Sequence, residues 1–299
     1  MEWSPQQRSI ICAPKVSLKI EAGPGSGKTR TITERIIHFI EEEYYVSSQI
    51  LALTFSVKAN LELKRRLFTR LESLCASIEI KTFHSLAFKL LREHTPHYRS
   101  LKICDQPKIQ ARICEGAIAP FRHLPLFPKE FQTPESALWH AGFFKRKHIL
   151  RLLDPKDVSW EKILTHAIQQ HFHDHGYALF DDLCVDALRL LQEDRDIQKQ
   201  YHQRWAALFV DEFQDLNPLQ FEFLKALCGP ETILTVVGDT DQAIFGWRGG
   251  DANLLSDFTL HFPNVQSKAL SQNFRCPQNI VSVANHLIQK NTDRSIKNL

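Results

Sequence analysis

The run Ala22-Gly23-Pro24-Gly25-Ser26-Gly27-Lys28-Thr29 constrains the fold of this chain more than any other stretch. It follows an apolar run, Val16-Ser17-Leu18-Lys19-Ile20, and precedes an amphipathic segment over 29–43. Strand, glycine-rich turn and helix start, in that order, are the context of a phosphate-binding loop, here with Ala22 in the first glycine position. Gly23, Gly25 and Gly27 permit backbone angles and close approaches that a side chain forbids. The N–H groups of such a loop converge on phosphate oxygens, helped by the helix N-terminus. Lys28 is placed to reach the β- and γ-phosphates of ATP, and the Thr29 hydroxyl to ligate Mg²⁺. A glycine turn that merely joins strand to helix is the plain alternative. The Lys-Thr pair in register with both flanks favours the nucleotide.

Around this loop the pattern is α/β. Ile50–Thr54 reads as a second strand, 58–71 as a helix, 78–83 as a third strand and 85–92 as a helix. From about His94 to Arg204 the periodicity turns helical, broken by prolines at 96, 107, 120, 125, 128, 134 and 155, with no convincing pair of buried strands. Strand signals resume at Ala206, continue through Ile233–Gly238 and near Ala269-Leu270, and end in a helix over 277–289. Strands alternating with helices predict βαβ units and a parallel sheet. The expected architecture is one α/β domain built from 1–93 and 205–299, interrupted by a helical insertion over 94–204.

Composition excludes little. Hydrophobic residues make up 43% and charged residues 24%, ordinary for a globular chain, and a net charge of +3 is too weak to argue for nucleic acid alone. The start has no basic segment followed by an apolar core, and no apolar run nears the ~20 residues of a membrane span. Seven scattered cysteines form no CxxC pair, which points to free thiols in a reducing cytoplasm.

The second informative stretch is Val210-Asp211-Glu212-Phe213-Gln214-Asp215, which ends an apolar run in charge. A P-loop enzyme needs a carboxylate for the Mg²⁺ shell and a group that orients or deprotonates the attacking water. The C-terminal end of a parallel strand is where such groups meet ligand. Asp211 is assigned to the metal and Glu212 as catalytic base. A solvated acidic turn before a helix capped near Asn217-Pro218 is the alternative, and the P-loop tips the balance. Hydrolysis alone leaves Gln214 and Asp215 unexplained.

Here the chain resembles the superfamily 1 DNA helicases of the UvrD/Rep/PcrA group, across its length and in order. WSPQQRSI resembles the Q motif, in which Gln7 would read adenine. AGPGSGKTR resembles motif I and extends it to Arg30. LTFSVKANLELKRRL resembles motif Ia, with Thr54, Phe55 and Lys58 as DNA contacts, although SVKAN departs from the more usual TNKAA. KTFHSLA resembles motif Ib, with His84 on DNA. YALFDDL resembles a segment late in the helical 1B domain. DEFQD resembles motif II, VGDTDQAIFGWRGGD motif III and LSQNFRCPQNIVSVANHLI motif IV.

The resemblance implies a RecA-like P-loop NTPase domain with a 1B-like insertion. It makes the chain the N-terminal motor half of an ATP-dependent 3′–5′ helicase acting on single-stranded DNA and single/double-strand junctions. Gln242 would sense the γ-phosphate and Arg275 contact it. Phe274 stands where the family usually has a tyrosine stacked on adenine. Phe245, Trp247 and Arg248 would lie along the DNA. Gln214 and Asp215 would link the nucleotide to motif III. Bases stacked on aromatic rings contribute roughly 1–3 kcal/mol each whatever the sequence. For Phe55, core filling stands level with stacking; for Trp247, among glycines and Arg248, stacking is favoured.

The sequence stops at Leu299, soon after motif IV, so the family's second RecA-like lobe is expected to come from elsewhere, and this chain alone to bind ATP weakly, hydrolyse it slowly and not unwind duplex. The alternative class is a nucleotide-dependent DNA-binding or regulatory subunit without motor activity. A P-loop kinase would not need the DNA-facing aromatics. Two further runs read blandly: His171, His173 and His175 as surface histidines near a turn, and Lys145 to His148 as a solvated basic face with a lesser alternative of duplex backbone contact.

Overall fold

The computed structural model describes residues 2–152 and 159–290; Pro155 and residues 291–299 lie outside that set. Two compact units result, Met1–Phe83 with Gln198–Leu299, and His84–Ile197. The first cut falls after Phe83 rather than after residue 93, and the second after Ile197 rather than after residue 204.

The α/β unit begins with α1 (Pro5–Ile11), β1 (Leu18–Ala22), α2 (Lys28–Glu41), β2 (Ile50–Thr54), α3 (Val57–Leu71) and β3 (Glu79–Thr82). The helical unit takes most of α4 (Phe83–His94), then β4 (Lys102–Ile103), α5 (Pro107–Ile118), α6 (Pro134–Ile149), α7 (Trp160–Asp174), β5 (Tyr177–Ala178) and α8 (Phe180–Glu193). After α9 (Arg195–Arg204) come β6 (Ala207–Val210), α10 (Pro218–Leu227), β7 (Ile233–Gly238), the one-turn helices α11 (Asn253–Ser256) and α12 (Phe258–His261), β8 (Gln266–Leu270) and α13 (Gln278–Ile288).

Six strands form one sheet in the order β3-β2-β6-β7-β1-β8, and every pairing is parallel. Parallel strands covered on both faces must be apolar nearly throughout, as β2 and β6 are, buried at every position. The order brings the C-terminal ends of β1, β7 and β6 side by side, so the P-loop, the end of motif III's strand and the acidic strand end share one edge.

β1 lies two residues later than the apolar run suggests, because Lys19 and Glu21 interrupt the pattern. Their charges are absorbed locally: the Lys19 ammonium sits 2.8 Å from Glu21 Oε1 and donates to the Ser256 carbonyl at 3.1 Å. The core of this unit gathers Ile10, Leu18, Ile36, Phe39, Leu67 and Phe209. Within it Arg35 is completely buried. Its guanidinium donates to the carbonyls of Ile10 (2.7 Å), Ala13 (2.8 Å), Pro14 (3.2 Å) and Val16 (3.0 Å) and to Thr235 Oγ1 (3.2 Å), and lies over the Phe39 ring. Among the described residues no carboxylate pairs with it, and burial pulls its pKa down to about 10.

The helical unit packs α5, α6 and α7 around Cys114, Phe131, Leu164, Ile168 and Phe172. One feature departs from the all-helical expectation: β4 and β5 form a two-residue parallel pair, Lys102 opposite Tyr177 and Ile103 opposite Ala178. The histidine run is also more than surface. His171 and His173 belong to α7, His171 fills the space where a Gly116 side chain would stand, and His173 packs against the His97 and Tyr98 rings. Among the described residues no group of histidine, cysteine or acid side chains is arranged to hold a metal. The basic run is corrected as well: Lys145 is buried and paired with Asp182 inside the unit, so it is no solvated face.

All seven cysteines are free thiols. Among the described residues no helix is long and apolar enough to cross a membrane.

Candidate nucleotide site and aromatic surface

The P-loop joins β1 to α2. Gly25 (φ 70°) and Gly27 (φ 85°) take left-handed backbone angles, which side chains resist; Gly23 does not need one. Gly25 is forced by space as well, since a Cβ there would lie 2.7 Å from the Asn273 side-chain amide. The Ser26 hydroxyl donates to the Gly23 carbonyl at 2.7 Å and closes the turn. Lys28, nearly buried, points its ammonium back at the Ala22 carbonyl, 3.4 Å away.

Thr29 and Asp211 meet across the sheet edge: the Thr29 hydroxyl donates to Asp211 Oδ2 at 2.8 Å. Asp211 follows β6 and is 4% exposed. Burial, with the Glu212 charge next in weight, pushes its carboxyl up to about 6, against the Thr29 hydrogen bond. Hard oxygen donors side by side on a strand end and a helix start suit Mg²⁺. Metal charge at that point would return Asp211 to its carboxylate form.

Glu212 takes a left-handed backbone (φ 52°, ψ 48°), rare for a residue with a side chain. That turn, rather than strand alternation, separates the side chains of Asp211 and Glu212. The Glu212 N–H donates to Asp211 Oδ1 at 3.0 Å. Gln214 donates from Nε2 to Glu212 Oε2 at 2.9 Å, and its Oε1 accepts from the Asp239 N–H at 2.9 Å. Asp239, fully buried past the end of β7, accepts from Gln242 Nε2 at 2.5 Å and from the Asp241 N–H at 3.1 Å. Gly238 leaves the room for this, because a Cβ there would stand 2.7 Å from Gln214 Oε1. A continuous hydrogen-bonded path therefore runs Glu212–Gln214–Asp239–Gln242. Asp215 joins motif III through its backbone environment instead: its carbonyl lies against Gly250, and the next carbonyl, of Leu216, accepts from the Asp251 N–H at 2.9 Å. Burial and Glu212 push the Asp215 carboxyl up to about 6.

Gln7 lies on the loop. Its Nε2 donates to the Ser26 carbonyl at 3.2 Å, and its Oε1 accepts from the Ser4 N–H that it caps. Phe274 is exposed and its N–H donates to the Gly25 carbonyl at 2.9 Å; Arg275 is exposed beside it. Arg30 lies over the Trp3 ring, 4.2 Å from its centre.

The aromatic residues of motifs Ia and III form one surface. Phe55 stacks on Phe245 with centres 5.1 Å apart. Arg248 lies over Trp247 at 4.5 Å and near Phe245 at 5.5 Å. Trp247 is 76% exposed, and Lys58 on α3 is exposed too. Thr54 differs: it is buried, and its hydroxyl donates to the Ser56 carbonyl at 3.2 Å, so it shapes the loop rather than facing a ligand. His84, in the helical unit, stacks on Phe180 at 3.9 Å, and burial pulls its pKa down to about 4.

Three residues that motif reading left without a role hold these parts together. Gln6 binds Ser271 through both ends of its amide, at 2.9 and 3.1 Å. Asn273 donates to the Pro24 carbonyl at 2.6 Å while its Oδ1 accepts from the Arg275 and Cys276 N–H groups. Asp239 is the third. Its signal was present: like Asp211, it is an acid placed directly after an apolar strand.

A parallel sheet with a glycine loop after one strand and a hydroxyl-bonded aspartate after another defines a P-loop fold. The profile of the UvrD/REP helicase N-terminal domain matches residues 3–263, and the chain belongs to that family, with its RecA-like fold. It is 31% identical over 305 residues to DNA helicase II of Salmonella typhimurium, covering 98% of this chain and 41% of that protein. It is 33% identical over 311 residues to DNA helicase II of Haemophilus influenzae, covering 98% and 41%. Against ATP-dependent DNA helicase PcrA of Bacillus subtilis it is 30% identical over 308 residues, covering 99% and 40%. The chain thus spans about two-fifths of the length of these relatives.

Proposed function

We propose that this chain is the ATP-binding lobe of a DNA helicase motor, and that it couples ATP hydrolysis to movement along single-stranded DNA. The observation that carries the reading is the path Glu212–Gln214–Asp239–Gln242, which leads from the assigned base into the segment bearing Phe245, Trp247 and Arg248. The 3′–5′ direction follows the family resemblance. Full turnover is proposed to require a second RecA-like lobe, in the same polypeptide or in another.

Lys28 holds the phosphates, and the loop N–H groups orient them. Thr29 and Asp211 would hold Mg²⁺, which when bound would offset the negative charge of the phosphates. Glu212, positioned by Gln214, takes the proton of the attacking water on its carboxylate. Gln242 turns from Asp239 toward the γ-phosphate, and that exchange reports nucleotide state to the aromatic surface. Phe55, Phe245 and Trp247 stack bases, and Arg248 and Lys58 meet backbone phosphate.

The test is ATP hydrolysis with and without single-stranded DNA, for this chain and with a second RecA-like lobe supplied. DNA stimulation supports the motor. Its absence in both conditions sinks the motor and favours a nucleotide-dependent DNA-binding module. Glu212→Gln should abolish turnover while retaining ATP; persisting turnover would refute the assigned base.

A further inference from the structure

We propose that the helical unit carries a ligand site of its own, for a small phosphomonoester with an apolar or aromatic body. A cavity of about 410 Å³ opens between α6, α7 and α8. That size suits a compact organic ligand rather than a lone ion.

Its charge is one-sided. Lys145, His148, Lys162, His166 and Arg189 line it, and no carboxylate does among the described residues. Lys145 and Arg189 are held in place from behind. Lys145 pairs with Asp182, and Arg189 with Asp186 at 3.1 Å, both acids lying outside the lining. Lys162 and His166 are exposed and can reach inward without losing a buried partner.

An independent sign comes from Thr165. This residue lines the cavity and is 5% exposed, yet its hydroxyl has no hydrogen-bond partner among the described residues. A buried hydroxyl left unpaired is destabilising. An anionic oxygen in the cavity would accept that hydrogen bond and the ammonium protons together. Phe144 and Ile163 supply the apolar wall for the ester's body. Phosphate on a small molecule and the 5′-phosphate of a DNA end share this chemistry.

Because the P-loop also binds phosphate, the readout must be local. The full chain is titrated with phenyl phosphate while the imidazole signals of His148 and His166 are followed by NMR. Saturable shifts at both are expected, unchanged in Lys28→Ala. Lys162→Glu should weaken the apparent Kd about tenfold or more, and the near-isosteric Thr165→Val should weaken it while the melting temperature of the unliganded chain stays level or rises. Phenol, lacking the phosphate, should shift neither. Parallel titrations with 5′-phosphorylated and 5′-hydroxyl oligonucleotides distinguish a DNA end from a small molecule as the source. Absence of saturation, equal shifts with phenol, or indifference to both substitutions would overturn the proposal.

Discussion

Gln214 holds Glu212 by a 2.9 Å hydrogen bond from its amide, and the other end of the same amide accepts from the Asp239 N–H. One side chain thus positions the assigned base and senses where β7 ends. Gln214→Ala should lower kcat for ATP about 10- to 100-fold while KM changes little, since the residue touches the base and not the nucleotide. Gln214→Glu should be worse, because it sets a second carboxylate against Glu212. A steady-state ATPase series reads both; a loss confined to KM would refute the positioning role.

The metal-free protein should show an unusual pH profile. Asp211 and Asp215 have carboxyls pushed up to about 6 by burial and by Glu212. A raised carboxyl binds protons more tightly in the fold than in the unfolded chain. Its contribution to stability therefore falls as pH rises from about 4 through about 6. For buried Asp211 the loss is on the order of 2–3 kcal/mol. Asp211→Asn should flatten this slope in urea titrations at pH 5 and pH 8 without Mg²⁺, while weakening Mg²⁺-dependent ATP binding. A parent slope of the opposite sign would contradict the assignment.

Arg35 makes a purely structural prediction. Its five hydrogen bonds satisfy four backbone carbonyls and Thr235 in the core. Arg35→Leu removes all five of these hydrogen bonds from the core and should cost about 3–5 kcal/mol; Arg35→Lys, with three donors, should recover only part. Denaturant midpoints measure both.

His84 titrates in the opposite sense to the acids. Burial, including the Phe180 ring stacked on it, pulls its pKa down to about 4 from an ordinary 6.5, while Asp181 pulls the other way. A depressed histidine contributes stability that is present above about 6.5 and lost as pH falls toward 4. Phe180→Ala should uncover the ring and move its NMR-monitored pKa back toward 6.5.

The sites differ in how far the sequence reveals them. The P-loop and the acid after β6 are legible because their chemistry depends on residues adjacent in the chain. β2 and β7 read at their true bounds because buried parallel strands are mostly apolar runs that only threonine interrupts. β1 does not, because Lys19 and Glu21 neutralise each other in a way only the fold reveals. The left-handed turn at Glu212 leaves no mark on composition. The role of Gln214 depends on β6 and β7 lying side by side, a fact of topology. Asn273 and Gln6 act across long separations in sequence, so no local pattern announces them.

Lys145 sets the sharpest contrast between sequence and structure. In the run Lys145-Arg146-Lys147-His148 it reads as solvated, yet it is buried against Asp182 on α8. Desolvation raises the Asp182 pKa to about 6 and Lys145 opposes that shift. Removing one partner leaves a charge buried alone, so Lys145→Met should cost about 3–5 kcal/mol. Removing both is different, because two apolar side chains of similar volume avoid both desolvation penalties. The pair Lys145→Met with Asp182→Leu should therefore be much more stable than Lys145→Met alone, and close to the parent. A double-mutant cycle by urea denaturation decides it. If the two single substitutions simply add, the pair is not coupled and the buried ion pair is not what holds α6 to α8.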